Sequence, residues 1–183
     1  MQDHKNNDII EVCHSLEKEL SKYKLHANMV PEKAFKANLR KILPKNEWDI
    51  LRRAVYKKDS HKCYICGQKN IRLEAHEKWK YIYERSIQKL QDINGLCSLC
   101  HLNIHLGYAG NKNRKEREEL IQHWCNVNVK NKKDFFNYFK NTWELWELRN
   151  KFDWVIVDGN NKPIINVKLD ELFKSLKLKE QDL

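Results

Sequence analysis

Between Cys63 and His105 the chain carries two CxxC pairs, Cys63 with Cys66 and Cys97 with Cys100, on either side of an LEAHE segment at residues 73–77. The second pair runs directly into His101 and His105, so one short region holds two donor sets of different character. Four thiolates are soft ligands that suit a structural zinc ion, whereas imidazoles with nearby carboxylates suit a borderline or hard divalent ion left open for chemistry. His101 and His105 are four residues apart, the spacing that puts both rings on one side of a helix and lets them grip a single ion.

The surrounding elements are read from periodicity. Ile9, Val12, Cys13, Leu16, Leu20 and Tyr23 recur at helical spacing over 8–25, which makes Cys13 a core residue of an amphipathic helix. From Asn46 to Lys58, Trp48, Leu51 and Val55 define an apolar side while Arg52, Arg53, Lys57 and Lys58 fall elsewhere. The first CxxC is followed by Gly67, a residue able to fold the backbone under a metal, and IRLEAHE alternates as a short strand. Tyr81 to Leu90 reads as a loop passing into a helix, and a further helix begins within 97–106. Helical patterns rich in aromatic residues follow at 114–127 and 133–149, with Trp124, Phe135, Phe136, Phe139, Trp143 and Trp146 expected to be packing residues and Cys125 buried among them. Two β-branched runs around Asp158 to Asn161 predict a hairpin over 153–167, ahead of a C-terminal helix at 170–178.

Composition narrows the partners. The 183 residues carry 35 Lys and Arg against 25 Asp and Glu, a formal charge of +10. Residues 31–60 alone hold nine bases (Lys33, Lys36, Arg40, Lys41, Lys45, Arg52, Arg53, Lys57, Lys58) against four acids (Glu32, Glu47, Asp49, Asp59), half of that excess. A basic segment ahead of a metal-binding centre predicts contact with phosphates, and nucleic acid is the expected partner. No apolar run approaches the roughly 20 residues of a membrane span, and MQDHKNND lacks a secretory pattern. The expectation is a cytoplasmic protein without a membrane partner, in which reduced cysteines bind metal rather than form disulfides.

These residues resemble the HNH endonucleases, specifically the ββα-metal branch with two CxxC knuckles. The layout of that branch is CxxCG, a strand ending in a His-containing pair, an Asn about five residues before the second knuckle, and CxxCHxxxH. The matching pieces here are Cys63 to Gly67, His76 with Glu77, Asp92, and Cys97 to His105. The likeness covers roughly residues 47–110. The HExW segment of His76, Glu77 and Trp79, with IQHWCNVNV and WELWELRNKFDW, is also similar to a bacterial and phage subfamily and extends it to about residue 157.

The resemblance implies an α+β fold: a ββα-metal core with a four-cysteine zinc site, flanked by helices and a C-terminal hairpin. It divides the chain into a helical extension at 1–45, the nuclease core at 46–110, a helical extension packed on the core at 111–152, and a hairpin with helix at 153–183. It also implies hydrolysis of phosphodiester bonds, in double-stranded DNA, with structural Zn²⁺ and a catalytic Mg²⁺, Mn²⁺ or Zn²⁺ held by His101 and His105. Two registers of the strand pair exclude each other: either His76 is the general base, or His76 is a metal ligand and Glu77 the base. His76 as the base is the preferred register, since imidazole titrates near neutral pH. Asp92 stands where the family has Asn and could orient His76, hold the ion, or be a solvated acid; Glu77 is the alternative third ligand of the ion. Arg52, Arg53, Lys57, Lys58, Arg72, Lys78 and Lys80 are the candidate phosphate contacts. A zinc-stabilised module that grips nucleic acid without cutting it, and a protein-interaction adaptor, are the competing classes. Target sequence, DNA against RNA, and oligomeric state stay open.

Overall fold

A computed structural model describes residues 2–35 and 38–178; Lys36 of the basic segment lies outside the described residues. In chain order the elements are α1 (Gln2–Leu20), α2 (Leu39–Ile42), α3 (Lys45–Lys58), β1 (Glu74–Ile82), β2 (Ile87–Leu96), α4 (Ser98–Ile104), α5 (Leu106–Ala109), α6 (Arg114–Asn128), α7 (Lys132–Arg149), β3 (Val155–Val157) and α8 (Leu169–Ser175). Short 3₁₀ turns occupy Glu32–Ala34, Tyr83–Arg85 and Ile164–Asn166. The fold is α+β, with one three-stranded sheet in the order β1-β2-β3. No helix among the described residues is long and apolar enough to cross a membrane.

The chain divides into two compact units, each built from two stretches: Met1–Glu32 with Leu102–Phe152, and Lys33–His101 with Asp153–Leu183. In the first, α1 packs on α7. Trp124 stacks on Tyr138 with ring centroids 4.7 Å apart, and Tyr23 and Phe135 meet both rings. Cys13 and Cys125 are buried, as their apolar settings predict. The buried Arg149 donates to Glu17 at 2.6 Å and to the Met29 carbonyl at 3.3 Å, so its charge is paired inside the unit. α6 and α7 start at capping boxes, Asn113 with Glu116 and Asn131 with Asp134, which satisfy the first amides of each helix. The aromatic stripe of α7 is only partly core. Phe135 and Tyr138 are buried, whereas Phe136 is exposed, and Phe139 and Trp143, which continue the row of stacked rings from Phe135, are partly open to solvent.

In the second unit, α3 buries Trp48, Leu51, Ala54 and Val55 and packs on β1 and β2. Two expectations change here. Residues 81–90 do not pass into a helix: β1 runs on to Ile82, Ser86 turns the chain in the left-handed region, and 87–96 return as the antiparallel strand β2. The register slips by one residue at a bulge between Lys78 and Trp79. The C-terminal hairpin survives only as its turn. Val155–Val157 pairs in parallel with Ile87–Lys89, and the return run makes a single bridge, Val157 with Pro163, before coiling into 3₁₀. Asp158 fixes that turn by accepting from the Asn160 and Lys162 amides, both at 2.8 Å.

Candidate metal centre

The donors come from a turn ahead of β1, from β1 itself and from the end of β2 with the helix that follows it. The first knuckle is a tight turn in which Gly67 donates to the Cys63 carbonyl and Cys63 donates to the Gln68 carbonyl, both at 2.9 Å. Gly67 adopts φ +78°, a conformation that a side chain would strain. Tyr64 donates to the Gly95 carbonyl at 2.8 Å, tying this knuckle to the end of β2. Gly95 has its own reason to be glycine. A Cβ there would lie 3.2 Å from both Leu73 and Tyr56, while its amide donates to Asp59 at 2.6 Å. The second knuckle opens α4, where His101 donates to the Cys97 carbonyl at 2.9 Å and the Cys100 amide points at the Cys97 sulfur at 3.4 Å.

One sulfur from each of Cys63, Cys66, Cys97 and Cys100 lies within 4.8 Å of the others, close enough to bind a metal ion such as zinc. The Cys66 and Cys97 sulfurs are 3.7 Å apart. A tetrahedron of zinc–sulfur bonds of about 2.3 Å has edges of about 3.8 Å, so the spacing fits. Without a cation the Cys63, Cys97 and Cys100 sulfurs compete for protons. Hydrogen bonds from Cys100 and Cys97 push the Cys63 thiol far below the ordinary range, and the same bond to Cys63 pushes Cys100 far above it. A divalent cation removes that conflict, because all four groups can then be thiolates.

The second set is imidazole. His76 is buried on β1, and its ring meets that of His101 edge to face with centroids 5.2 Å apart. His105 follows the end of α4, one helical turn beyond His101 in the chain. His101 Nδ1 is 2.5 Å from Glu74 Oε2, and Ser98 Oγ donates to Glu74 Oε1 at 3.1 Å. Glu74 was missed in the sequence reading, although strand alternation places it on the same side as His76 two residues on.

The other candidate residues lie elsewhere. Glu77 points to the opposite side of β1, where its Oε1 accepts from the Leu39 amide at 3.0 Å at the start of α2, and burial holds its carboxyl above the usual carboxylate range. Asp92 faces Lys78 across the strands, not His76; the residue opposite His76 is Asn94, because the bulge comes only after Lys78. Asp92 is otherwise engaged, accepting from Lys58 at 2.8 Å, from the Ile93 amide at 2.8 Å and from Asn94 Nδ2 at 2.9 Å. Of the basic candidates, Lys58 is committed to Asp92 and to the Ile93 carbonyl at 2.7 Å, and Arg52 to Asp49 at 2.6 Å. Arg53, Lys57, Arg72, Lys78 and Lys80 are exposed. The Trp of the HExW segment, Trp79, is a buried packing residue. Comparison with protein-family models, with curated proteins and with solved structures finds no match to this chain.

Proposed function

We propose that the chain is a metal-dependent nuclease of the HNH type that hydrolyses phosphodiester bonds in DNA. One observation carries the reading: the buried ring of His76 on β1 meets that of His101 on α4, next to a four-thiol cluster of which neither is a part. A structural zinc site has no use for that second set. Three histidines suit a divalent ion with an open position. Such an ion, when bound, neutralises charge on a phosphate and lowers the pKa of water.

The chain's own residues then divide the work. His76 and His101, with His105 one helical turn beyond His101 in the chain, would hold the ion, so His76 is read as a ligand, not as the general base that the resemblance favoured. Asn94 takes the place beside His76 that spacing assigned to Asp92, and Glu77 serves α2 instead of the reaction. The exposed Arg72, Lys78 and Lys80, with Arg53 and Lys57 of α3, supply phosphate contacts that carry affinity without sequence information.

A plasmid-relaxation assay on the zinc-loaded protein with Mg²⁺, Mn²⁺ or EDTA, beside His76→Ala and His101→Ala, tests the proposal. Metal-dependent nicking that both substitutions abolish, at unchanged zinc content, is the expected result. Intact plasmid under every metal, together with salt-sensitive DNA binding, would make the chain a non-cutting zinc-stabilised binding module and end the nuclease reading.

A further inference from the structure

We infer that Glu74 is the positioning residue of the histidine centre: its carboxylate holds His101 in the Nδ1–H tautomer and so presents Nε2 as the metal-binding atom. The inference rests on the proposed metal site and adds to it a residue outside the motif that carries the resemblance.

Three observations support it. Strand alternation puts Glu74 and His76 on one side of β1. The Glu74 carboxylate is held at both oxygens by α4, Oε2 by His101 Nδ1 at 2.5 Å and Oε1 by the Ser98 hydroxyl at 3.1 Å. A carboxylate only accepts, so the facing ring nitrogen carries the hydrogen and the far nitrogen of the neutral ring keeps its lone pair. A carboxylate behind a ligating imidazole fixes the ring's rotation and raises its basicity, and loss of such a partner typically weakens metal binding about 10–100-fold. Glu74 as a direct ligand fits less well. Both Glu74 oxygens are already engaged, one by His101 Nδ1 and one by the Ser98 hydroxyl.

The test uses the full chain with its cysteine site zinc-loaded, at pH 8, and reads two signals. Long-range ¹H–¹⁵N correlation of the histidine rings should show His101 as Nδ1–H in the wild type and in Glu74→Gln, whose amide oxygen still accepts, and as Nε2–H in Glu74→Ala. Calorimetric titration with Co²⁺ should then show binding about 10–100-fold weaker in Glu74→Ala, with Glu74→Gln in between. Unchanged zinc content and melting temperature confine the effect to the centre. An Nε2–H wild type, or equal Co²⁺ affinity in wild type and Glu74→Ala, overturns the role of Glu74 alone. A wild-type chain that takes up no Co²⁺ beyond its zinc overturns the histidine site itself, and the inference with it.

Discussion

Lys58 Nζ donates to Asp92 Oδ1 at 2.8 Å and to the Ile93 carbonyl at 2.7 Å, so the last turn of α3 is pinned to β2 by a lysine that charge alone would assign to phosphate. Asp92 in turn holds the Asn94 amide at 2.9 Å, and the pin thus reaches the residue opposite His76. Lys58→Met, which keeps the aliphatic stem, should destabilise the protein by about 1–3 kcal/mol in urea denaturation. It should leave the salt dependence of DNA affinity untouched. Lys80→Ala should do the reverse: stability within about 0.5 kcal/mol of wild type, and a log–log salt slope shallower by about 1. A shallower slope in Lys58→Met would return that lysine to the interface.

Removing the metal from the four-cysteine cluster should cost the centre its order. The knuckles anchor the end of β2 to the start of α4, through Tyr64 on Gly95 and Cys97 on His101. Structural zinc contributes roughly 10–16 kcal/mol in small zinc-finger peptides, more than a typical domain's whole stability. Chelation with a mercurial and EDTA should therefore abolish amide-exchange protection across residues 87–101. Protection that persists in β2 after zinc release would show that the sheet stands without its metal.

Burial pushes the Cys13 thiol up from its ordinary value of 9.0 to about 11. A raised folded-state value means that the stabilising contribution is fully present below the unfolded value of 9.0 and is lost as pH rises through 11. Wild type should therefore lose roughly 2 kcal/mol more than Cys13→Ala between those limits. Urea midpoints across the range measure the difference; parallel curves for the two proteins would place the alkaline sensitivity elsewhere.

Tyr138 is buried, and its hydroxyl accepts from the Ala27 amide at 2.6 Å, joining α7 to the segment that follows α1. Tyr138→Phe keeps the ring on Trp124 and orphans that amide, which should cost about 1–3 kcal/mol. For a chain of this size, each 1 kcal/mol lowers the melting temperature by about 2–4 °C. An unchanged melting temperature would mean that the amide finds another acceptor.

What could be read in advance depended on whether the chemistry was local. The CxxC pairs announce their cluster because two thiols three positions apart, repeated once further along the chain, are the spacing of a four-thiolate zinc site. α6 and α7 were legible because apolar residues recur at helical spacing, with Asn caps closing their starts. β2 was not. Ile87, Leu90, Ile93 and Leu96 recur every third residue, a helix-like rhythm, and the position that alternation would make apolar, Gln88, is polar yet fully buried between β1 and β3. Its identity as a strand comes from partners on both sides. Alternation along β1 separates Glu74 from Glu77, but the partners on the two sides, α4 for Glu74 and the start of α2 for Glu77, come from distant parts of the chain. Asn94 and Asp92 exchange their expected places because the register of β1 on β2 decides which residue faces His76.

The two units are interleaved along the chain, each completed by a segment that comes after part of the other. During synthesis β1, β2 and the knuckles emerge before β3, so the four-cysteine cluster can close while the Ile87–Lys89 edge of β2 still lacks its parallel neighbour. An unpaired edge is a template for foreign strands until Val155–Val157 arrives. Neither unit can be excised as one unbroken stretch, and a fragment ending before Val155 keeps every candidate metal ligand but leaves the sheet one strand short.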